Sequence, residues 1–276
     1  MKSPLDNIVV VLSHTTEPRN LGAAARALKT MGLRRLRLVN PRDHLGEEAR
    51  AVAHGAEDVL ETAELFDSMA AAVADVPVAA ATTSRGRQLR KSAFLPPDEL
   101  ARLLVAHAAD GPAAILFGTE RTGLTNEEIN LCRYLSRADL AQPQPSLNLG
   151  QAVMVYAWEV RRAWREARAA GERENAAATG RRTGGGESPG RRAGGVDHPH
   201  RGTRLPTQYE LDTMYAHFGA AMGAVGYTEA ERRKFLTYLR HLHMRAGIVD
   251  WELQIFHLLA RRILETAKEP PFGGLG

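Results

Sequence analysis

Short apolar runs alternate with amphipathic stretches through the first 170 residues, and no other feature limits the fold of this chain as strongly. The runs are IVVVL (8–12), LRLVN (36–40), DVL (58–60), VPVAAA (76–81), AAILFG (113–118) and YLSRA (134–138), all of strand length and composition. Between them lie helical spacings such as Leu21, Ala24, Ala25, Leu28 and Met31. A further helix follows, with Val153, Tyr156, Val160 and Trp164 on one stripe. Strand–helix alternation of this kind predicts an α/β fold with a mainly parallel sheet covered on both faces.

After that the composition changes. Residues 171–204 are rich in Gly and Arg and carry almost nothing to bury, which suits a flexible basic tether. Three helices are expected beyond it. Thr207 with Glu210, and Thr228 with Glu231, have capping-box spacing, and Asp250 is a candidate cap for the third. The inward stripes read as Leu211, Met214, Tyr215, Phe218 and Met222, then Phe235, Leu239 and Leu242, then Ile255, Leu259 and Ile263. The expected division is a domain at 1–170, a linker at 171–204 and a helical domain at 205–268, the last a marginal core by itself.

Composition excludes some functions. There is no apolar run near the ~20 residues of a membrane helix, and MKSPLDN at the start lacks the apolar stretch of a signal peptide. With Cys132 as its one cysteine the chain makes no internal disulfide, so a reducing cytoplasm is the expected setting and Cys132 reads as a small core residue. A net charge of +4 says little about nucleic acid, but its distribution says more. SRGRQLRK packs Arg85, Arg87, Arg90 and Lys91 together, and Arg34, Arg35 and Arg37 form a second cluster. Such clusters are footprints of phosphate contact or simply solvated faces.

Three strand-to-helix junctions carry the residues suited to chemistry. In EPRNLGAAARALKTMG, Asn20 can cap a helix, and Gly22 and Arg26 sit one turn apart on a face away from the apolar stripe. In FGTERTGLTNEE, Gly118 and Gly123 have phosphate-loop spacing, yet the Lys of a Walker loop is missing, so nucleoside triphosphate binding is not expected. What remains is a loop open to close backbone approach, with a carboxylate at Glu120. In PSLNLG, Ser146 can cap the long helix, which leaves Asn148 in its first turn without a structural reason.

In that order, Asn20-x-Gly22-x-x-x-Arg26, Phe117-Gly118-x-Glu120-x-x-Gly123-Leu124 and Ser146-Leu147-Asn148-Leu149 closely resemble the three motifs of the SPOUT superfamily of RNA methyltransferases, in its TrmH (SpoU) branch. The helical extension looks like the TrmJ type. The resemblance covers residues ~6–168 well and the C-terminal helices less well. It implies a trefoil-knotted α/β domain, a homodimer, and S-adenosylmethionine bent in a cleft. Matched cofactor positions are Thr82, Thr83, Ser84, Gly118, Ala138, Pro145, Ser146 and Leu147. Arg26 is matched to the group that activates a ribose 2′-hydroxyl, supported by Asn20, Glu120, Ser146 and Asn148.

A sulfonium methyl is already electrophilic, so the difficulty lies in the hydroxyl. A guanidinium stays protonated, which suits Arg26 to gripping an RNA phosphate and steadying an alkoxide rather than to acting as a literal base. No metal is expected. The implied substrate is a tRNA anticodon-loop nucleotide, with Arg85, Arg87, Arg90 and Lys91 as RNA contacts. A ribosomal RNA methyltransferase and a non-catalytic RNA-binding protein on the same scaffold are the rival readings. Gln144 departs from the resemblance, because TrmJ-like enzymes carry an aromatic residue there.

Overall fold

The computed structural model describes residues 3–84, 94–141, 147–181 and 204–267. After a short 3-10 turn, β1 (Ile8–Ser13) leads into α1 (Pro18–Met31) and β2 (Arg35–Val39). Next come α2 (Glu47–Ala53), α3 (Glu57–Glu61), β3 (Glu64–Phe66), α4 (Met69–Ala72) and β4 (Val78–Thr82). Then follow α5 (Pro97–Ala108), β5 (Ala113–Phe117), α6 (Asn126–Asn130), β6 (Tyr134–Ser136) and α7 (Leu149–Arg181).

Every strand pairing in the sheet is parallel, in the order β3-β2-β1-β5-β4-β6. Strand β1 shows why its sequence is apolar throughout. Ile8, Val10 and Leu12 join a core with α1, α5 and α7, whereas Val9 and Val11 join the opposite core with α4 and α6. Both faces are dry, so both sets of alternating residues must be apolar. Cys132 is buried in the second core.

Two expectations for this region change. DVL (58–60) is not a strand but part of α3: Glu57 and Asp58 occupy its first turn and Val59 and Leu60 pack inward. The strand is β3, a short edge whose Leu65 is 56% exposed, so it carries no alternating pattern to read. The cluster at Arg34, Arg35 and Arg37 is not one phosphate-facing patch, because only Arg34 is exposed. Arg37 is buried and forks onto Asp75 at 2.6 and 2.9 Å while donating to the Ala72 carbonyl, and Arg35 pairs with Glu64.

Helix α1 begins one turn earlier than its sequence suggests. Glu17 is the N-cap and Pro18 the first helical residue, which leaves Asn20 buried in the first turn. Gly22 does not face outward: a Cβ there would strike the Ala49 carbonyl oxygen, so this glycine lets α1 lie directly on α2. Arg26 is exposed. At the start of α7, Asn148 takes the capping role, with its Oδ1 accepting from Gly150 N at 2.9 Å and Gln151 reaching back to Asn148 N at 3.2 Å. Gly150 sits against Ala23, which holds α1 and α7 together at this point. Helix α7 continues through Gly171 to Arg181. Residues 85–93 and 142–146 lie outside the described residues, and the knot implied by the resemblance remains an expectation.

Beyond Arg204 stand α8 (Gln208–Ala224), α9 (Glu229–Ala246) and α10 (Asp250–Thr266). The expected capping boxes at Thr207 and Thr228 are both formed. Asp250 is the first helical residue rather than the cap, and Glu252 accepts from Val249 N at 2.9 Å. The stripe of α8 is buried as read, but those of α9 and α10 are rotated. Leu236, Leu239, Leu253, Phe256 and Ile263 pack inward, while Phe235, Leu242, Ile255 and Leu259 are exposed. Both helices are apolar on more than one side, so spacing did not fix which side meets α8. Backbone bonds from Gln208 N to Val76 O (3.3 Å) and Tyr209 N to Ala74 O (3.0 Å) attach α8 to the sheet region.

Candidate active site

The three motif junctions meet at the C-terminal ends of β1 and β5, where ligands settle in open parallel sheets. Asn20 Nδ2 donates to Glu120 Oε1 at 2.9 Å, and Asn148 Nδ2 donates to Asn20 Oδ1 at 2.9 Å. Because Asn148 Oδ1 is taken by Gly150 N, the orientation of both amides is fixed by the bonds around them. The loop after β1 adds to the clamp: Thr16 and Glu17 point their backbone N–H groups at Glu120, each at 3.4 Å. Burial works against charge on Glu120, but the donors from Asn20 and from the backbone N–H groups outweigh it and hold the carboxyl below its ordinary pKa. Glu120 is therefore an acceptor at neutral pH.

Beside this relay opens a cleft of about 360 Å³. Thr82, Thr83 and Ser84 form one side, Gly118 to Gly123 another, and Ala138, Leu147 and Leu149 close it. The loop is shaped by its glycines. A Cβ on Gly118 would collide with the Gly123–Leu124 peptide, and Gly123 takes a φ of +70° where Thr119 accepts from its N–H. At the base, Tyr156 donates to Ser136 Oγ at 2.9 Å, and Ser136 donates to Leu95 O at 2.7 Å. Burial pushes the Tyr156 hydroxyl up to about 12 against that bond, so it remains a neutral donor.

The structure thus brings together Asn20, Glu120 and Asn148, and lines one cleft with Thr82, Thr83, Ser84, Gly118, Ala138 and Leu147. Arg26 is not among the residues lining that cleft. Pro145, Ser146, Arg85, Arg87, Arg90 and Lys91 lie outside the described residues. Sequence reasoning missed Thr16 and Tyr156 as parts of the site, and placed Phe117 in the second motif without giving it a role. Phe117 and Tyr156 form an edge-to-face pair 5.6 Å apart, and Tyr156 reads as a plain core residue in sequence. Among the described residues no group of three or more metal-ligating side chains occurs, and no helix is long and apolar enough to cross a membrane.

Comparison with known proteins decides the family. The profile of the SpoU rRNA Methylase family matches residues 7–158, which span the sheet, all three motifs and the start of α7. The chain belongs to the SpoU methylase family. Its similarity to individual SpoU methylases runs further than that profile. The tRNA (cytidine/uridine-2′-O-)-methyltransferase TrmJ of Escherichia coli K12 is 36% identical over 266 residues, covering 96% of this chain and 98% of the relative. The solved structure of TrmJ from Zymomonas mobilis ZM4 superposes with a TM-score of 0.69 at 27% identity, over 95% of this chain and 99% of that one. A probable methyltransferase from Bordetella pertussis Tohama I is 40% identical over 58% of this chain and 98% of its own, with a TM-score of 0.55. The longer matches take in the C-terminal helices as well as the SpoU methylase core.

Proposed function

We propose that the protein methylates a ribose 2′-hydroxyl of a tRNA anticodon-loop cytidine or uridine, using S-adenosylmethionine. The observation that carries this reading is the Glu120–Asn20–Asn148 relay beside a cleft of cofactor size, in a chain that matches TrmJ over nearly its whole length. A ribosomal RNA substrate has the family description in its favour, but the TrmJ match continues through α8 to α10.

The cleft fits the cofactor. Gly118 lines it at the tight Gly118–Gly123 turn, Thr82 to Ser84 carry hydroxyls along it, and the charged Glu120 suits a site that must hold a cation. Bound there, S-adenosylmethionine supplies an electrophilic methyl group on a sulfonium. The chain's own residues then have to position and activate the hydroxyl. Arg26 lies six residues beyond Asn20 on α1, about 9 Å along the axis. Its exposed guanidinium is assigned to gripping the phosphate next to the target ribose and steadying the alkoxide, with the proton leaving through phosphate or water. Pro145, Ser146 and Leu147 are assigned to the cofactor, with Ser146 and Asn148 also supporting the hydroxyl. Arg85, Arg87, Arg90 and Lys91 are assigned to the RNA backbone.

The active unit is proposed as a homodimer, and the chain as a methyltransferase domain (1–170), a linker (171–204) whose first eleven residues continue helix α7, and a helical domain (205–268). The test is incubation of the full chain with methyl-labelled S-adenosylmethionine and either tRNA or ribosomal RNA, followed by nuclease digestion and mass spectrometry. A 2′-O-methylated pyrimidine in the anticodon loop is expected. Label appearing only in ribosomal RNA, or on a base, would overturn the assignment.

A further inference from the structure

Between the sheet region and the C-terminal helices lies a second cavity, remote from the relay. It leaves about 40 Å³ open to water centres, whereas one water needs roughly 10–15 Å³. Arg133, from the turn between α6 and β6, and Arg240 and His243, from α9, all line it, together with Tyr215. Among the described residues no carboxylate lines it.

Its polar atoms are unusual in kind. Arg133 Nε and His243 Nε2 are both buried and without a hydrogen-bond partner. His243 Nδ1 lies 3.0 Å from the Tyr215 hydroxyl, so a neutral imidazole accepting there carries its proton on Nε2. Burial lowers the His243 pKa, opposed by the charge of Glu252, which favours that neutral form at pH 7. Glu252 itself is turned toward Val249 N. Arg240 lies 4.2 Å over the Tyr215 ring and is held by Asp212 at 2.8 Å. Buried polar atoms in native proteins are almost always paired; Arg133 Nε is a donor, and His243 Nε2 is one in the tautomer that accepts from Tyr215. Water brings as many hydrogens as lone pairs. A ligand with negative charge and an excess of acceptors matches this lining better.

We propose that this cavity binds a small free oxyanion of phosphate type, bridging Arg133 of the sheet region to His243 and Arg240 of the helical region. Its occupation joins the two regions at the seam already marked by the Gln208–Val76 and Tyr209–Ala74 backbone bonds. The inference stands apart from the methyltransferase reading, since none of these residues belongs to the relay or its cleft.

The test is calorimetric titration of inorganic phosphate into the full chain without RNA, at constant ionic strength, with thermal melting in parallel. One phosphate per chain and a saturable rise in melting temperature are expected. Arg133→Met keeps an aliphatic stem over Tyr134, and should weaken binding at least tenfold with an unchanged circular dichroism spectrum. Arg133→Lys retains the charge, serves if the first variant fails to fold, and should keep part of the affinity. No saturable heat would mean that water alone fills the cavity, and would overturn the proposal. Undiminished binding in Arg133→Met would assign the phosphate to other arginines, and would overturn it equally. Displacement of bound phosphate by tRNA would show a nucleic-acid phosphate as the occupant, and would sink the free-ion reading.

Discussion

Asn20 donates to Glu120 and accepts from Asn148, each at 2.9 Å, although the three residues are separated by 100 and 128 positions in the chain. One buried amide therefore sets the orientation of two motif side chains at once. A hydrogen bond to a charged group contributes about 1.5–3 kcal/mol. Asn20→Ala should lower methyl transfer roughly 10- to 100-fold, with a smaller change in melting temperature than a core truncation gives. Steady-state kinetics at saturating cofactor checks this, and unchanged turnover would show the relay to be structural only.

Arg26 is exposed and makes no contribution to either core. Arg26→Ala should fold normally, bind S-adenosylmethionine at near wild-type affinity and lose turnover by more than about 100-fold. Parallel binding and single-turnover measurements separate the two. Equal loss of binding and turnover would remove Arg26 from the reaction.

Gly118→Ala drives a methyl group into the Gly123–Leu124 peptide, and backbone cannot move aside as a side chain can. Overpacking of this kind costs about 1–3 kcal/mol. The cofactor loop should open, and cofactor affinity should fall at least ~10-fold. Wild-type affinity in a stable variant would place the cofactor away from this turn.

Glu210 is held down to about 2 chiefly by the forked bond from Arg204, with burial opposing and Thr207 assisting. Its carboxylate is depressed on folding, so its contribution is complete above the ordinary value of 4.5 and is lost as pH falls toward 2. Melting curves of the wild type should therefore lose stability between those limits. Glu210→Gln should flatten that part of the profile, and identical profiles would assign the acid sensitivity to other carboxyls.

Arg85 and Arg87 are proposed RNA contacts. Replacing both with alanine should reduce the salt dependence of tRNA binding by about one to two phosphate equivalents. Cofactor affinity should hold. A wild-type salt slope in the double variant would make the cluster a solvated face.

How much of this was legible in sequence depends on the range of the interaction. The central strands were legible because burial on both faces leaves an unbroken apolar run, as in Ile8–Leu12. Strand β3 was not, since an exposed edge imposes no pattern on Leu65. Arg37 looked like its basic neighbours because its partner Asp75 lies 38 positions away. The motif residues were legible as three separate oddities. Nothing in their spacing foretold that Asn148 would cap α7 with one end of its amide and hold Asn20 with the other. The inward faces of α9 and α10 were misread for a simpler reason: helices apolar on two sides do not announce which side is covered.

The double duty of Asn148 ties catalysis to the order in which the chain is made. Its amide reaches Asn20 only after α7 has been capped and laid against α1 at the Gly150–Ala23 contact. Contacts of such long sequence separation are slow to form. A ribosome-bound chain that has folded its first five strands thus has Glu120 and Asn20 in hand but no finished relay. On the proposed role of the relay, its turnover should be lowered. Nascent and half-folded molecules should in this way modify RNA poorly until α7 has docked on α1.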